Sequence, residues 1–407
     1  PVAYTPELFV KGLTYNGGLL GDANIRSWWD GTDKKVALQA KINEKGKRVA
    51  DINGGIWLGK DSLSFGLDAS KVNIKFLQPF MAAFTSNVNG RASGETLLYG
   101  TFKDINLRGR VFADTISMLV DYTNTVYSGS DSVIIDPGYI NVRNFTLHDT
   151  EGHTATLNGW VRHRYFHEPS FEFKISNARN FLCYNTNSLI NPDWYGTIYG
   201  NGGGTISGHP GVVDILVDMQ TAPKSTFTFV LSDREDAADY TFLTFSDRRK
   251  DEELAKVEDT TPDIIKQYRK KIMQEQQGNS LFNMDLRATV TPQAEVIIVM
   301  DPVAGDKIKA FGSGTLQMGY TNIDDKLSMY GKYTLERGTY NFSLQDLILK
   351  TFTIRPGSYI SFNGDPFSAL LDIDAIYKVN ANLSDLDKSF SCLLYTSDAA
   401  DEARSVD

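Results

Sequence analysis

The feature that most constrains this chain is a two-residue alternation of apolar and mostly polar side chains, repeated in many short segments. It is clearest in residues 213–220, 294–301 and 371–380. Successive side chains of a β-strand point to opposite faces, so each segment predicts a strand with one apolar face. The residues predicted to line a groove on that face are Val213, Ile215, Val217, Met219, Val296, Ile298, Met300, Leu371, Ile373, Tyr377 and Val379.

Turn-forming tetrapeptides separate the alternating segments, as in residues 355–358 (RPGS) and 363–366 (NGDP). Short strands joined by such turns predict an antiparallel meander. The predicted fold class is therefore mainly β, a long curled antiparallel sheet that forms a trough with an apolar groove. Alternation alone leaves one question open, because the same face could pack against a second sheet as a dry core.

Glycines inside the predicted strands favour the curled sheet over a flat one. Gly109, Gly159, Gly319 and Gly331 stand among strand-forming residues, where a glycine weakens packing and backbone order. A sharp bend or a close backbone approach would justify that cost. These four positions are therefore predicted bends of the sheet.

Two segments depart from the strand pattern. Residues 77–84 predict a short amphipathic helix, and residues 246–279 predict a charged helical insertion outside the sheet. In the insertion, Ile264, Tyr268 and Ile272 follow helical spacing. The predicted organisation is a repetitive curled sheet over 1–245, the insertion over 246–279, a second β domain over 280–391 and a tail over 392–407.

The tail, residues 392–407, breaks the strand pattern abruptly and resembles the in-frame translation of a sequencing adaptor. Its four acids and one base account for −3 of the formal net charge of −9, so the remainder would carry −6. The chain opens at Pro1 without a methionine. We therefore expect a fragment whose natural ends both lie elsewhere.

The sequence offers little that would support catalysis, so we predict a protein that is not an enzyme and takes no cofactor or metal. His163 and His167 have the spacing of a metal pair, but they follow a predicted strand and no third ligand stands out. The glycine cluster at 201–204 lacks the lysine of a phosphate loop. The acidic balance, without a basic stripe, argues against a nucleic-acid partner. No run approaches the ~20 apolar residues of a membrane helix.

From residue 286 to 386 the chain closely resembles the C-terminal domain of the TamB family, the translocation and assembly module within the AsmA-like superfamily, in its Bacteroidota branch. Residues 76–80 (FLQPF) and 88–94 (VNGRASG) extend the resemblance upstream. The ordered series of motifs is specific, although each alone is loose. They are 294–302 (AEVIIVMDP), 312–316 (GSGTL), 331–342 (GKYTLERGTYNF), 352–355 (FTIR), 360–366 (ISFNGDP) and 371–377 (LDIDAIY).

The resemblance implies a periplasmic envelope protein that spans from the inner to the outer membrane. Family members carry an N-terminal inner-membrane anchor, which would be missing here, and work with a TamA-like outer-membrane barrel. The resemblance implies passive shielding of phospholipid acyl chains in the groove. The alternative is an assembly or secretion factor that recognises unfolded β-strands by edge pairing. A third reading has Trp28, Trp29, Trp57, Trp160 and Trp194 stacking sugars, although they are dispersed.

Overall fold

A computed structural model describes residues 4–15, 17–81, 85–231, 281–302, 304–323, 326–344 and 348–378. The described residues form one sheet of 22 strands, which confirms the mainly β, curled-sheet fold class. Each of the first twelve strands pairs antiparallel with the next. They are β1 Tyr4–Tyr15, β2 Gly18–Asp30, β3 Lys35–Glu44, β4 Lys47–Trp57, β5 Ser62–Asn73, β6 Thr85–Thr101, β7 Ile105–Val120, β8 Thr125–Asp136, β9 Tyr139–His148, β10 Thr154–Arg164, β11 His167–Thr186 and β12 Trp194–His209.

Beyond β12, two strands placed end to end take the place of one long strand. Strands β13 (Val212–Thr221) and β14 (Thr226–Val230) both pair antiparallel with β12. They then pair in parallel with β15 (Leu281–Val290) and β16 (Glu295–Asp301), respectively. These two parallel pairs are a departure from the predicted all-antiparallel meander. They arise because the chain re-enters the sheet at the opposite end from where it left, as any parallel connection requires.

The remaining strands resume antiparallel pairing. Strands β17 (Asp306–Thr321) and β18 (Lys326–Leu344) are long, and β18 then pairs with β19 (Ile348–Ile354) and β20 (Tyr359–Gly364). Two short strands, β21 Leu370–Asp372 and β22 Ala375–Ile376, complete the edge. Strands that lie end to end share one position in the sheet, so the 22 strands fill eighteen positions. At ~4.8 Å between neighbouring positions, the sheet extends over about 80 Å.

Helix is scarce in the described residues. A 3₁₀ turn at Lys75–Leu77 leads into a one-turn helix, α1 (Gln78–Met81), at the position of the predicted short helix. None of the described helices has the length and apolar character needed to cross a bilayer. The predicted insertion over 246–279 and the tail over 392–407 lie outside the described residues, whereas the predicted domains on either side of the insertion share the one sheet.

Four bulges with a common design bend the sheet. In each, a residue with positive φ that is not glycine lies at a shift of strand register, and its backbone N–H donates a hydrogen bond to a side chain on the next strand. A bulge bends its strand and increases the local twist. The donor and acceptor residues are Lys71 with Ser93, Thr115 with Ser130, Asn144 with Asn158, and Asn180 with Asn201, at 2.8–2.9 Å.

Two of the four glycines predicted as bends have positive φ, Gly109 at 153° and Gly331 at 126°. A Cβ at either position would lie 2.3 Å from a backbone oxygen of the neighbouring strand. At Gly159 the backbone is not left-handed, and the absent side chain leaves room for the ring of Phe173. At these three positions the missing side chain thus allows close packing between strands.

Candidate functional site

The two faces of the sheet differ sharply in polarity, as the strand register shows. Directly paired residues project from the same face, so a row can be followed from strand to strand. One such row crosses β1 to β13 and continues through β15, β17 and β18 without a charged residue; we call its side the groove face. Its members are Val10, Ala23, Ile42, Ala50, Ala69, Gly94, Val111, Val133, Val142, Gly159, Phe173, Ile206, Ile215, Met284, Tyr320 and Leu327.

The adjoining row projects from the opposite side, which we call the outer face, and it is predominantly polar. Its members are Asn24, Lys41, Asp51, Asp68, Glu95, Arg110, Ile134, Asn141, Trp160, Glu172, Ser207, Asp214, Asn283 and Thr321. Neighbouring residues on each strand therefore belong to different faces, one apolar and one predominantly polar. The two sides of the sheet therefore differ in polarity from strand to strand along these rows.

The groove-face row is neither buried nor freely exposed along most of its course. From Ala50 to Leu327 every member is partly exposed. A dry core between two sheets would bury these residues, since core side chains are enclosed on all sides. Along this row the groove face is therefore a partly exposed apolar surface without a charged residue, whereas elsewhere on the same face buried residues of β7 to β11 pack together.

The groove face is closed at the end formed by β16 to β20. There Ile298 and Ile308 are 3% and 2% exposed, and Leu335 and Ile360 are fully buried. The hydroxyl of Tyr333 reaches the carbonyl oxygen of Ala310 at 3.5 Å across the bend. The buried residues that pack together here, which we call the closed cluster, are Val290, Ala294, Ile298, Ile308, Ala310, Met329, Tyr333, Leu335, Ile354, Ile360 and Phe362.

The predicted groove residues on β13 lie on the groove face in the open part of the sheet. Val213, Ile215 and Val217 are partly exposed, and Met219 is buried. On the outer face, the neighbouring Leu216 is 59% exposed. The alternation that predicted this strand therefore corresponds to a real difference between its two sides.

The predicted groove residues nearer the C-terminus lie in or against the closed cluster. Ile298 belongs to the cluster, and four others are partly buried and pack against it: Val296, Met300, Leu371 and Ile373. Tyr377 is 42% exposed, and its ring lies 5.3 Å from that of Phe352. Val379 lies outside the described residues.

Sequence reasoning missed most of the groove-face row between β2 and β11. Ile42, Val111, Val142 and Phe173 lie there, and a bulge interrupts the alternation close to each of them. A bulge inserts one residue, so it reverses the odd and even positions of the apolar residues. Testing for alternation separately on each side of a candidate bulge would have found them.

Cys183 and His163 are two residues that could carry chemistry, and the structure shows the surroundings of each. Burial raises the pKa of the Cys183 thiol to about 12, so the thiol stays protonated and unreactive. His163, which has the sequence spacing of a metal pair with His167, accepts a hydrogen bond at Nδ1 from the Phe166 N–H at 3.0 Å. Among the described residues, no three His, Cys, Asp or Glu side chains are grouped so as to hold a metal ion.

Comparison with known proteins adds the family. Residues 142–404 match the family model described as the TamB C-terminal domain, which is more than half of the chain. Searches of curated proteins and of solved structures gave no match. The matched range contains the parallel strand pairs and the closed cluster, and it confirms the resemblance found in the motifs between residues 286 and 386. The chain therefore belongs to the TamB family of cell-envelope translocation and assembly proteins, whose C-terminal domain it carries.

Proposed function

We propose that the groove passively shields the acyl chains of phospholipids on their way between the inner and outer membranes. The observation that supports this most directly is the uncharged groove-face row, which stays partly exposed from Ala50 to Leu327 and runs beside a polar outer row. A surface of this kind suits apolar chains and needs no catalytic residue. We further propose that the full-length protein is periplasmic, anchored in the inner membrane, and works with a TamA-like outer-membrane barrel.

The energetic problem that such a groove solves is large. Two acyl chains expose about thirty methylene groups in water, each at a cost of about 0.8 kcal/mol, so a free lipid faces a barrier of roughly 25 kcal/mol. Contact with an apolar groove removes much of that cost. The groove only lowers the barrier, so the direction of movement would come from lipid gradients or partners.

The closed cluster limits where a lipid chain could lie. Leu335 and Ile360 have no accessible surface, so an acyl chain cannot touch them without unpacking the cluster. The proposed path therefore covers the open part of the groove face, up to β13 and β15, and passes beside the closed cluster rather than through it.

Site-specific photo-crosslinking in cells that incorporate radiolabelled phospholipid tests this proposal. A photoreactive phenylalanine at Ile215, on the open groove face, is expected to capture lipid. Two matched positions should not: Leu216, its exposed neighbour on the outer face, and Ile360, which is buried. Equal labelling at Ile215 and Leu216, or none at Ile215, would contradict a lipid-carrying groove.

A second candidate function is the assembly or secretion of outer-membrane proteins, in which a sheet edge would accept an unfolded strand. In the described part of the chain β1 pairs only with β2, and its Leu8 and Phe9 are 49% and 61% exposed. An unfolded strand could add to such an edge through backbone hydrogen bonds. Under this hypothesis Phe9→Pro abolishes the assembly of outer-membrane proteins whereas Ile215→Asp does not; lipid carriage predicts the reverse sensitivity.

A further inference from the structure

The outer face of strands β2 to β8 contains a trench that the groove hypothesis does not use. One row of directly paired residues runs from Trp28 through Ala37, Gly55 and Ser64 to Tyr99. Two aromatic rings thus lie at the ends of a row of small residues, separated by four strand spacings, or about 19 Å. Small residues between larger ones leave a depression in the sheet surface.

Two adjoining clefts occupy this depression, with volumes of about 480 Å³ and 550 Å³. They share Asn53, Gly66 and Leu97, which stand side by side on neighbouring strands. Gly66 lies at the centre, and a Cβ there would meet only the backbone oxygen of Asn53, at 3.7 Å. The floor of the trench is therefore open above Gly66.

The aromatic end of the trench is held in place by an ion-pair network. The Lys35 ammonium lies 2.6 Å from the Asp33 carboxylate and 3.7 Å from that of Asp30, and it is 5.5 Å from the centre of the Trp57 ring. Trp28 remains 40% exposed beside it. Two indole rings are thus presented to the trench, one of them braced by a cation.

The opposite end of the trench is polar and acidic. Asp68, Glu95 and Asp136 line it together with Arg108, whose guanidinium lies 5.5 Å from the centre of the Tyr99 ring. Across both clefts, four carboxylates, with Asp30 included, face two cations, with Lys35 included. This excess of negative charge disfavours an anionic ligand, and the polar lining disfavours a purely apolar one.

We propose that this trench binds a neutral oligosaccharide. Sugar rings have an apolar face that packs on an indole and a rim of hydroxyls that hydrogen-bond to carboxylate and amide groups. Trp28 and Trp57 supply the aromatic surfaces, and Asn53 with the acidic end supplies the polar partners. The length and shallowness of the trench fit an extended chain of sugars. The site lies on the outer face, so it is independent of the proposed lipid groove.

Titration of the full chain with neutral hexasaccharides tests the proposal. Cellohexaose, chitohexaose and maltohexaose are suitable probes, followed by tryptophan fluorescence and calorimetry. At least one should bind saturably, and Trp28→Ala should weaken that binding about tenfold or more. The matched control is Trp29→Ala, since Trp29 is the next residue on the same strand, is 36% exposed and projects from the groove face.

A second variant guards against an effect of Trp28→Ala on folding. Gly66→Phe fills the trench without removing an aromatic ring, and its backbone conformation accepts a side chain. We expect it to retain the wild-type thermal unfolding curve and to lose hexasaccharide binding. The proposal is overturned if none of the three probes binds saturably, if Trp29→Ala and Trp28→Ala weaken binding equally, or if dextran sulfate binds more tightly than every neutral probe.

Discussion

Replacement of Asp149 by alanine should destabilise the middle of the sheet more than a typical surface change does. The Asp149 side chain has no accessible surface. Its Oδ1 accepts hydrogen bonds from the N–H groups of Glu151 (2.9 Å) and His153 (2.8 Å) in the turn after β9. Its Oδ2 accepts one from the N–H of Leu182 on β11 at 2.9 Å and lies 2.9 Å from His153 Nδ1. The Asp149 carboxylate therefore connects the turn between β9 and β10 to β11, a strand that does not pair with β9.

The expected loss follows from the backbone donors that the substitution leaves behind. Leu182 is buried, and its unpaired N–H costs ~1–3 kcal/mol. The N–H groups of Glu151 and His153 are nearer to water, so each costs only the net value of a hydrogen bond, ~0.5–1.5 kcal/mol. The free energy of unfolding should therefore fall by roughly 2 to 6 kcal/mol. That is a large part of the ~5–15 kcal/mol that stabilises a typical domain.

Equilibrium urea denaturation, followed by circular dichroism, measures this difference. The matched control is Asp218→Ala, because Asp218 is exposed on the outer face of β13; a surface change of this kind should cost less than ~0.5 kcal/mol. If Asp149→Ala is no more destabilising than Asp218→Ala, the reasoning about buried hydrogen bonds is refuted.

The same site predicts a dependence on pH. Burial by itself would raise the pKa of Asp149, but hydrogen bonds from the Leu182 N–H, the His153 side chain and the turn N–H groups outweigh it and hold that pKa below its ordinary value of 3.8. The folded state then binds fewer protons than the unfolded state. The stabilisation is present above the ordinary pKa and is lost as the pH falls through the lower folded pKa. The advantage of wild type over Asp149→Asn should shrink below about pH 4.

Four further predictions concern the closed cluster, a bulge, the buried thiol and an exposed ion pair. Leu335→Ala and Ile360→Ala should each lower the free energy of unfolding by ~2–5 kcal/mol because both side chains are fully buried, whereas Leu216→Ala should lie within ~0.5 kcal/mol of wild type in the same urea titration. Thr115→Gly should raise the free energy of unfolding by ~1 kcal/mol because a β-branched residue is strained at a φ of 51°. The control Thr205→Gly, in extended backbone, should lower the free energy of unfolding. In a Cys392→Ser variant, which leaves one thiol in the chain, Cys183, whose pKa burial raises to about 12, should react with a chromogenic disulfide at pH 8 only after unfolding; rapid labelling of that folded variant would contradict its burial. Arg355→Ala should change the free energy of unfolding by less than ~1 kcal/mol because the ion pair with Asp374 is exposed. A larger loss would contradict the weak contribution expected of an exposed ion pair.

The strand segments and their faces could be predicted from local pattern alone. On β13 the alternation assigned Val213, Ile215 and Val217 to one side and Asp214 and Asp218 to the other, and the structure places them so. The reason is that the side-chain period of a strand follows from backbone geometry and needs no information about neighbours. Likewise the turn at residues 355–358, with its proline and glycine, separates β19 from β20.

The bulges could not be predicted in the same way. Lys71 and Thr115 are unremarkable in sequence, yet both adopt positive φ because a serine on the next strand accepts their N–H. The parallel pairing of β13 with β15 depends on where the chain returns to the sheet after residues 232–280, which lie outside the described residues. Both features arise from pairing between distant segments, so no local sequence pattern predicts them.

The amino-acid sequence by itself determined that this chain forms strands with one apolar face, and its motifs determined the TamB family. Only the tertiary structure decided where that face is open and where it is closed. Ile215 and Ile298 look alike in sequence, each in the middle of an alternating segment, but Ile215 is partly exposed and Ile298 is 3% exposed. Ile298 belongs to the closed cluster formed by residues of β16 to β20, and Ile215 lies outside it. Which residues meet in that cluster is set by strand pairing between distant segments, and a local alternation carries no information about that pairing.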